Sequence, residues 1–185
     1  MNHIDLSSVL RQTVSCDLYS NLVTRPTGAA VRNQIERLLD DALDRTLTVI
    51  DFSQVSMIDF SCADEVIAKL LLRHEAADSP RDAYFIFRGV TDEHWEAIEA
   101  VLERRGLALV LEQADGIHVV GSLSAEERRA WEGVHELGRA TPNELADRLD
   151  LSLTEVQRSL DALRRRRLVM RVSESYVVVG AHRGG

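Results

Sequence analysis

Apolar and polar residues change period repeatedly along this chain of 185 residues, and each change predicts an element. From Ala29 to Leu43 the positions Val31, Ile35, Leu38, Leu39 and Ala42 recur at helical spacing. Leu47 to Phe52 is a short β-branched run with apolar residues on both faces, the pattern of a buried central strand. Ser61 to Ala76 returns to a helical period, with Val66, Ile67, Leu70 and Leu71 facing inward. Ala83 to Phe87 reads as the next strand, Asp92 to Arg105 as the next helix, and Leu107 to Leu111 and Ile117 to Val120 as short final strands. Residues 3 to 24 are ambiguous: strands are possible around Ser8 to Val14 and Cys16 to Val23, and Pro26-Thr27-Gly28 then breaks the chain. Strands that alternate with helices in this way predict an α/β fold, a mixed sheet flanked by helices.

The rhythm changes after the apolar run Ile117 to Val120. Gly121-Ser122-Leu123-Ser124 closes that run, and Ser124 with Glu127 has capping-box spacing, so a new helix is expected from Ala125 to Gly138, with Ala130, Val134 and Leu137 inward. Thr141-Pro142 opens a second helix that ends near Leu149. A third runs from Leu153 to Arg167 with Val156, Leu160 and Leu163 on one face. Leu168 to Val172 and Tyr176 to Val179 flank Ser173-Glu174-Ser175 as a hairpin. The expected organisation is therefore two domains, residues 1–121 and a small α+β domain at 122–185.

Composition narrows the class. At 45% hydrophobic residues the chain has ample material for a packed core. It shows no signal-peptide pattern and no apolar stretch long enough for a membrane span, which predicts a cytoplasmic protein without a membrane partner. Residues 1–121 hold 11 basic and 20 acidic side chains, net −9, whereas 122–185 hold 11 and 10, net +1. The acidic part suits a protein partner and repels nucleic acid, while the second part carries a local basic run. The six histidines are scattered, Cys16 and Cys62 have no ligand-like neighbours, and no glycine-rich phosphate loop occurs. No enzyme, metal or cofactor is expected.

The segment Asp51-Phe52-Ser53-Gln54-Val55-Ser56-Met57-Ile58-Asp59-Phe60-Ser61, followed at once by a helix, resembles the STAS domain of anti-sigma-factor antagonists. The order of elements agrees over roughly Ser8 to Val120. The resemblance implies a partner-regulating binding module in which Ser61 is the phosphoacceptor and Asp59 the accompanying acid, with Cys62 and Asp64 in the switch loop. Where relatives carry glycine and an apolar residue after the acceptor, this chain has Cys62-Ala63-Asp64-Glu65. Asp59, Asp64 and Glu65 then crowd a helix start with negative charge, and a phosphate adds roughly −1.5 to −2 more. Ser61-x-x-Asp64 fits a plain helix N-cap equally well. Both roles for Ser61 stay open.

From Thr141 to Val169 the pattern T-x-x-E-L-A-x-x-L-x-L-S-x-x-x-V-x-x-x-L-x-x-L-x-x-x-x-L-V resembles the winged helix-turn-helix of bacterial transcription regulators. That resemblance implies a third helix lying in the major groove with the hairpin as a wing beside the backbone. The residues implied in DNA contact are Thr154, Gln157 and Arg158 on the helix, Arg164, Arg165, Arg166 and Arg167 at its end, and Arg171 on the wing. Glu155, Asp161 and Glu174 have the opposite sign, which leaves open a winged helix that binds proteins instead. Two readings follow. One is a non-enzymatic transcription regulator, homodimeric so that the arginine patch is doubled. The other is a partner-switching adaptor in which both domains bind proteins, an anti-sigma-type kinase among them.

Overall fold

The computed structural model describes residues 2–6, 9, 21–40, 45–76 and 82–181. Four strands run parallel in the order β1 (Asn2–Asp5), β3 (Arg45–Asp51), β5 (Asp82–Arg88) and β6 (Ala108–Gln113), and β7 (Gly116–Gly121) closes the sheet antiparallel to β6. Beside this sheet, β2 (Asn21–Leu22) and β4 (Met57–Ile58) form a separate parallel pair, Leu22 opposite Ile58. The helices are α1 (Arg25–Asp40), α2 from Phe60 to Glu75, α3 (Asp92–Arg105), α4 (Ala125–Leu137), α5 (Pro142–Leu149) and α6 (Leu153–Arg165). Within α2, Asp64–Ala68 is a π-helical turn between α-helical ends. The hairpin is β8 (Val169–Val172) with β9 (Ser175–Val178). Among the described residues, no helix is long and apolar enough to cross a membrane.

Period-two alternation sorts the central strands onto two cores. Ile50 of β3 and Phe52 just beyond it, Phe85 and Phe87 of β5, and Leu109 and Leu111 of β6 pack with Val31 and Ile35 of α1, Val66 and Leu70 of α2, and Ile98 and Val101 of α3. Their neighbours in sequence, Val49, Tyr84, Ile86, Ala108 and Val110, point the other way. These pack with Ala130, Trp131 and Val134 of α4, Leu160 and Leu163 of α6, and Val169 and Val178 of the hairpin. The three C-terminal helices and their hairpin therefore cover the second face of the sheet. The boundary expected near residue 121 lies in the short link between β7 and α4, and the hydrophobic core is continuous across it.

Several expectations need correction. Helix α1 starts at Arg25 and includes Pro26-Thr27-Gly28, the expected break. Proline fits a first helical turn because its missing N–H has no partner there in any case. Gly28 then serves a packing role, since a Cβ at this position would sit 2.9 Å from Cys62 Cα. Leu38 and Leu137, expected on inward stripes, are exposed at the margins of their helices. Of the two early strands, β2 overlaps the expected Cys16 to Val23, whereas most of Ser8 to Val14 lies outside the described residues.

Because one apolar layer joins the sheet to the C-terminal helices, unfolding should be a single event. Trp95 lies on α3 and Trp131 on α4, so Trp95→Phe and Trp131→Phe each leave one reporter, in different halves. Their urea transitions are expected to coincide. Ile86→Ala, which cuts into the shared layer, should lower both by about 3 kcal/mol. Two separated midpoints would show that the halves fold independently.

Candidate functional site

Two surfaces carry the residues singled out in the sequence. The first is the junction where β4 turns into α2. Asp59, not Ser61, is the N-cap of α2: its Oδ1 accepts from the Cys62 amide at 2.7 Å and from the Ser61 hydroxyl at 2.9 Å. Its Oδ2 accepts from the Thr24 amide at 2.9 Å, and its own amide donates to the Leu22 carbonyl at 2.9 Å. One residue thus joins β2 through its amide and the entry to α1 and the first turn of α2 through its carboxylate. Burial opposes its charge, yet the Thr24 and Cys62 amides and the Ser61 hydroxyl hold the carboxyl below the usual range. Ser61 is the second residue of the helix, half-buried, and turned toward the cap. The Cys62 thiol is buried and donates to the Thr24 carbonyl at 2.9 Å. Burial, followed by the charge of Asp59, pushes it up to about 12, so it is no thiolate nucleophile at neutral pH.

The expected crowd of free negative charge is not what the fold presents. Asp64 and Glu65 are almost wholly buried, at 2% side-chain exposure, and both are paired. Asp64 receives Arg25 at 2.9 Å and Arg105 at 2.7 Å, while Glu65 receives Arg25 at 2.8 Å, Arg32 at 3.5 Å, and Lys69. Glu36 extends the network from α1, accepting from Arg32 at 3.0 Å and from Arg73 of α2. Burial opposes ionisation of Asp64, but Arg25 and Arg105 hold its carboxyl below the usual range. Lys69 and Arg25 do the same for Glu65 against its burial. The carboxylates are therefore neutralised by cations from α1, α2 and α3 and add little field at the helix start. Two of these pairs, Arg32–Glu36 and Glu65–Lys69, have i,i+4 spacing and could have been read from the sequence. The partnership of Arg25 and Arg105 with Asp64 spans 39 and 41 residues and leaves no local signal.

A second cap was also missed, at the start of α3. His94 Nδ1 accepts from the Thr91 amide at 3.0 Å, and its other nitrogen lies 2.9 Å from the Val55 carbonyl. With Nδ1 accepting, Nε2 carries the proton and donates, so the ring locks α3 onto the loop before β4.

The second surface is the outer side of α6. Val156, Ser159, Leu160 and Leu163 face the core, and Thr154, Gln157, Arg158, Asp161, Arg164 and Arg165 are exposed. Ser152 and Glu155 form a capping box, which ties the Glu155 carboxylate to the helix start at 2.9 Å from the Ser152 amide. The run of four arginines is split by the end of the helix. Arg164 and Arg165 remain on it and point outward, with no side-chain hydrogen bond or ion pair among the described residues. Arg166 instead turns back, to Glu127 at 3.0 Å and to the Ser122 and Gly106 carbonyls at 2.6 and 3.0 Å. Arg167, at φ 59°, donates to the His74 carbonyl at 2.9 Å and to Asp82 at 2.6 Å and lies over the Tyr84 ring. Arg166 and Arg167, expected in contact with DNA, are engaged in holding α6 to the sheet. Arg171 is exposed on β8 but shares its guanidinium with the Ser173 carbonyl at 3.0 Å and Glu174 at 3.4 Å.

Among the described residues, no group of three or more histidine, cysteine or carboxylate side chains is placed to hold a metal ion.

Two outcomes test this geometry. If Asp59 is the cap, Asp59→Ala should lower the unfolding free energy by about 1–2 kcal/mol and Ser61→Ala by under about 1 kcal/mol, both read from urea midpoints. The reverse order would move the cap to Ser61. The second outcome concerns pH. Asp59, Asp64 and Glu65 titrate lower in the folded chain than their ordinary values of 3.8 and 4.5, so they stabilise the fold above those values. That contribution is lost as pH falls through the folded values. Higher up, two burial effects oppose each other. His74, pushed down from 6.5 to about 4, destabilises the fold as pH falls through that window. Glu75, pushed up from 4.5 to about 7, stabilises it over nearly the same window. Stability should therefore be nearly flat between about pH 7 and 4.5 and fall steeply below. Glu75→Gln removes one side of the balance and should give a profile that declines from about pH 6.5 downward. Compared with family models, with curated proteins and with solved structures, the chain matches none.

Proposed function

We propose that this protein is a non-enzymatic regulator of transcription in which an N-terminal STAS-like sheet binds a protein partner and a C-terminal winged helix reads DNA. The observation that carries the reading is the outer side of α6. Thr154, Gln157, Arg158, Arg164 and Arg165 stand exposed along one helix face while its apolar stripe is buried, and Glu155 is tied to the helix cap. Arginine can bind guanine through two hydrogen bonds and glutamine can do the same with adenine, which suits Arg158 and Gln157 to base edges and Arg164 and Arg165 to phosphates. Arg166 and Arg167 act as anchors and leave the DNA-contacting set, so the electrostatic footprint per chain is small. A homodimer then supplies the second half-site that a weak footprint needs.

One observation favours the second reading, a partner-switching adaptor in which both parts bind proteins. The Ser61 hydroxyl belongs to the cap that joins β2, α1 and α2, so a phosphate there would place new negative charge against the ionised Asp59 and loosen the junction. A single experiment separates the two readings. With genomic DNA fragments at low salt, the intact protein should give a gel shift that weakens steeply as salt rises. Arg158→Ala should cost about 1–3 kcal/mol and relax base preference. Arg164→Ala should weaken all fragments alike and reduce the salt slope by about one unit. No shift at low salt, or a shift that both variants leave unchanged, favours the adaptor.

A further inference from the structure

Between the C-terminal end of α2, the start of β5 and the last turn of α6 lies a cleft of about 450 Å³, a size suited to a small molecule. Its wall carries both signs of charge: Glu75, Asp82 and Asp161 against Arg164, Arg165 and Arg167. Arg167 and Asp82 already satisfy each other at 2.6 Å. Glu75, Asp161, Arg164 and Arg165 remain, and no side-chain hydrogen bond or ion pair joins any of them to another described residue. Glu75 is the most telling of the four. Its Oε1 is closed off from solvent with no hydrogen-bond partner, which costs stability, whereas Oε2 is not closed off and is the oxygen that a donor in the cleft can reach. Burial raises this carboxyl against the attraction of Arg166 and Arg167, consistent with a group that lacks its partner.

A simple anion would suit Arg164 and Arg165 but meet Glu75 and Asp161 with the wrong sign, and a simple cation would have the opposite difficulty. A molecule that carries both charges satisfies both sets. We propose that this cleft is an effector site for a free α-amino acid, with the ligand carboxylate held by the Arg164 and Arg165 guanidiniums and its ammonium group donating to Glu75. Guanidinium presents paired N–H donors that match a carboxylate, and the ammonium brings three donors to a carboxyl that has none. The site stands independently of whether α6 reads DNA. If it does, the bound ligand occupies two of the arginines otherwise available to phosphates.

The test is calorimetric titration of the full chain, without DNA, with each of the common amino acids and with propionate and propylamine at matched ionic strength. At least one amino acid is expected to bind with a Kd below about 1 mM, and the two half-ligands at least about tenfold more weakly. Glu75→Gln and the double change Arg164→Ala with Arg165→Ala should each weaken binding at least about tenfold. Circular dichroism should show both variants folded; the arginines are exposed, so their removal leaves the core intact. Three results would overturn the proposal: no amino acid binding below about 10 mM, propionate or propylamine binding as tightly as the amino acid, or binding undiminished in both variants. A chain that binds an amino acid but shifts no DNA keeps this site and loses the DNA reading, and the converse result does the opposite.

Discussion

Burial of both faces of the central sheet is the constraint on which the rest of this molecule depends. Val49, Tyr84, Ile86 and Val110 face away from the first layer of helices, and in water each would leave an apolar side chain exposed. Fully burying a side chain of this kind is worth roughly 1.5–3 kcal/mol, so leaving four uncovered would threaten a domain of ordinary stability. The C-terminal helices cover them with Trp131, Val134, Leu160 and Leu163. What looks like an appended module in the sequence is therefore the second wall of the sheet. Its position is set by apolar contact and then locked at the rim by Arg166 and Arg167, whose polar contacts fix orientation more than they add stability.

The opposite layer is held in place differently. Asp64 and Glu65 are charges taken out of water, and their desolvation is offset only because Arg25, Arg32, Lys69 and Arg105 reach them. Such a network tolerates little displacement, since losing any one cation leaves a buried carboxylate short of a partner. It sits at the π-helical turn of α2, directly after the junction that Asp59 caps. The start of α2 is thus fixed twice, by the cap and by the ion network. Partner binding at this end would meet a preformed surface.

Much of this was legible in the sequence because it is encoded locally. The starts of α4, α5 and α6 fall where Ser124, Thr141 and Ser152 each have a glutamate three residues on, and all three form capping boxes. Strands β3 and β5 were readable from β-branched and aromatic runs, and the apolar residues on both faces of β3 already implied cover on each side. Periodicity does not say which element provides that cover, so the docking of the C-terminal helices had no signal. Asp59 and Ser61 are both good caps two residues apart. The choice between them is made by Leu22 and Thr24, more than 30 residues away. The arginine run shows the same limit. Four identical residues look equivalent in sequence, yet the helix ends at Arg165 and the backbone of Arg167 turns into the left-handed region, which sends the last two side chains inward.

That split gives α2 a particular place in the molecule. Its first turn holds the Asp59 and Ser61 junction, its middle holds the buried carboxylates, and its last turn presents the His74 carbonyl to Arg167 and the Glu75 carboxyl to the cleft beside α6. It is one helical run that touches both candidate surfaces. A change at the junction that shifted α2 along its axis would have to break the Arg25 and Arg105 pairs or carry α1 and α3 with it, and at the far end it would pull on Arg167. Coupling between distant sites requires an element whose arrangement both ends bias. In this chain α2 meets the geometric half of that requirement, because its C-terminal turn holds Arg167, one of the two anchors of α6, and presents Glu75 to the cleft.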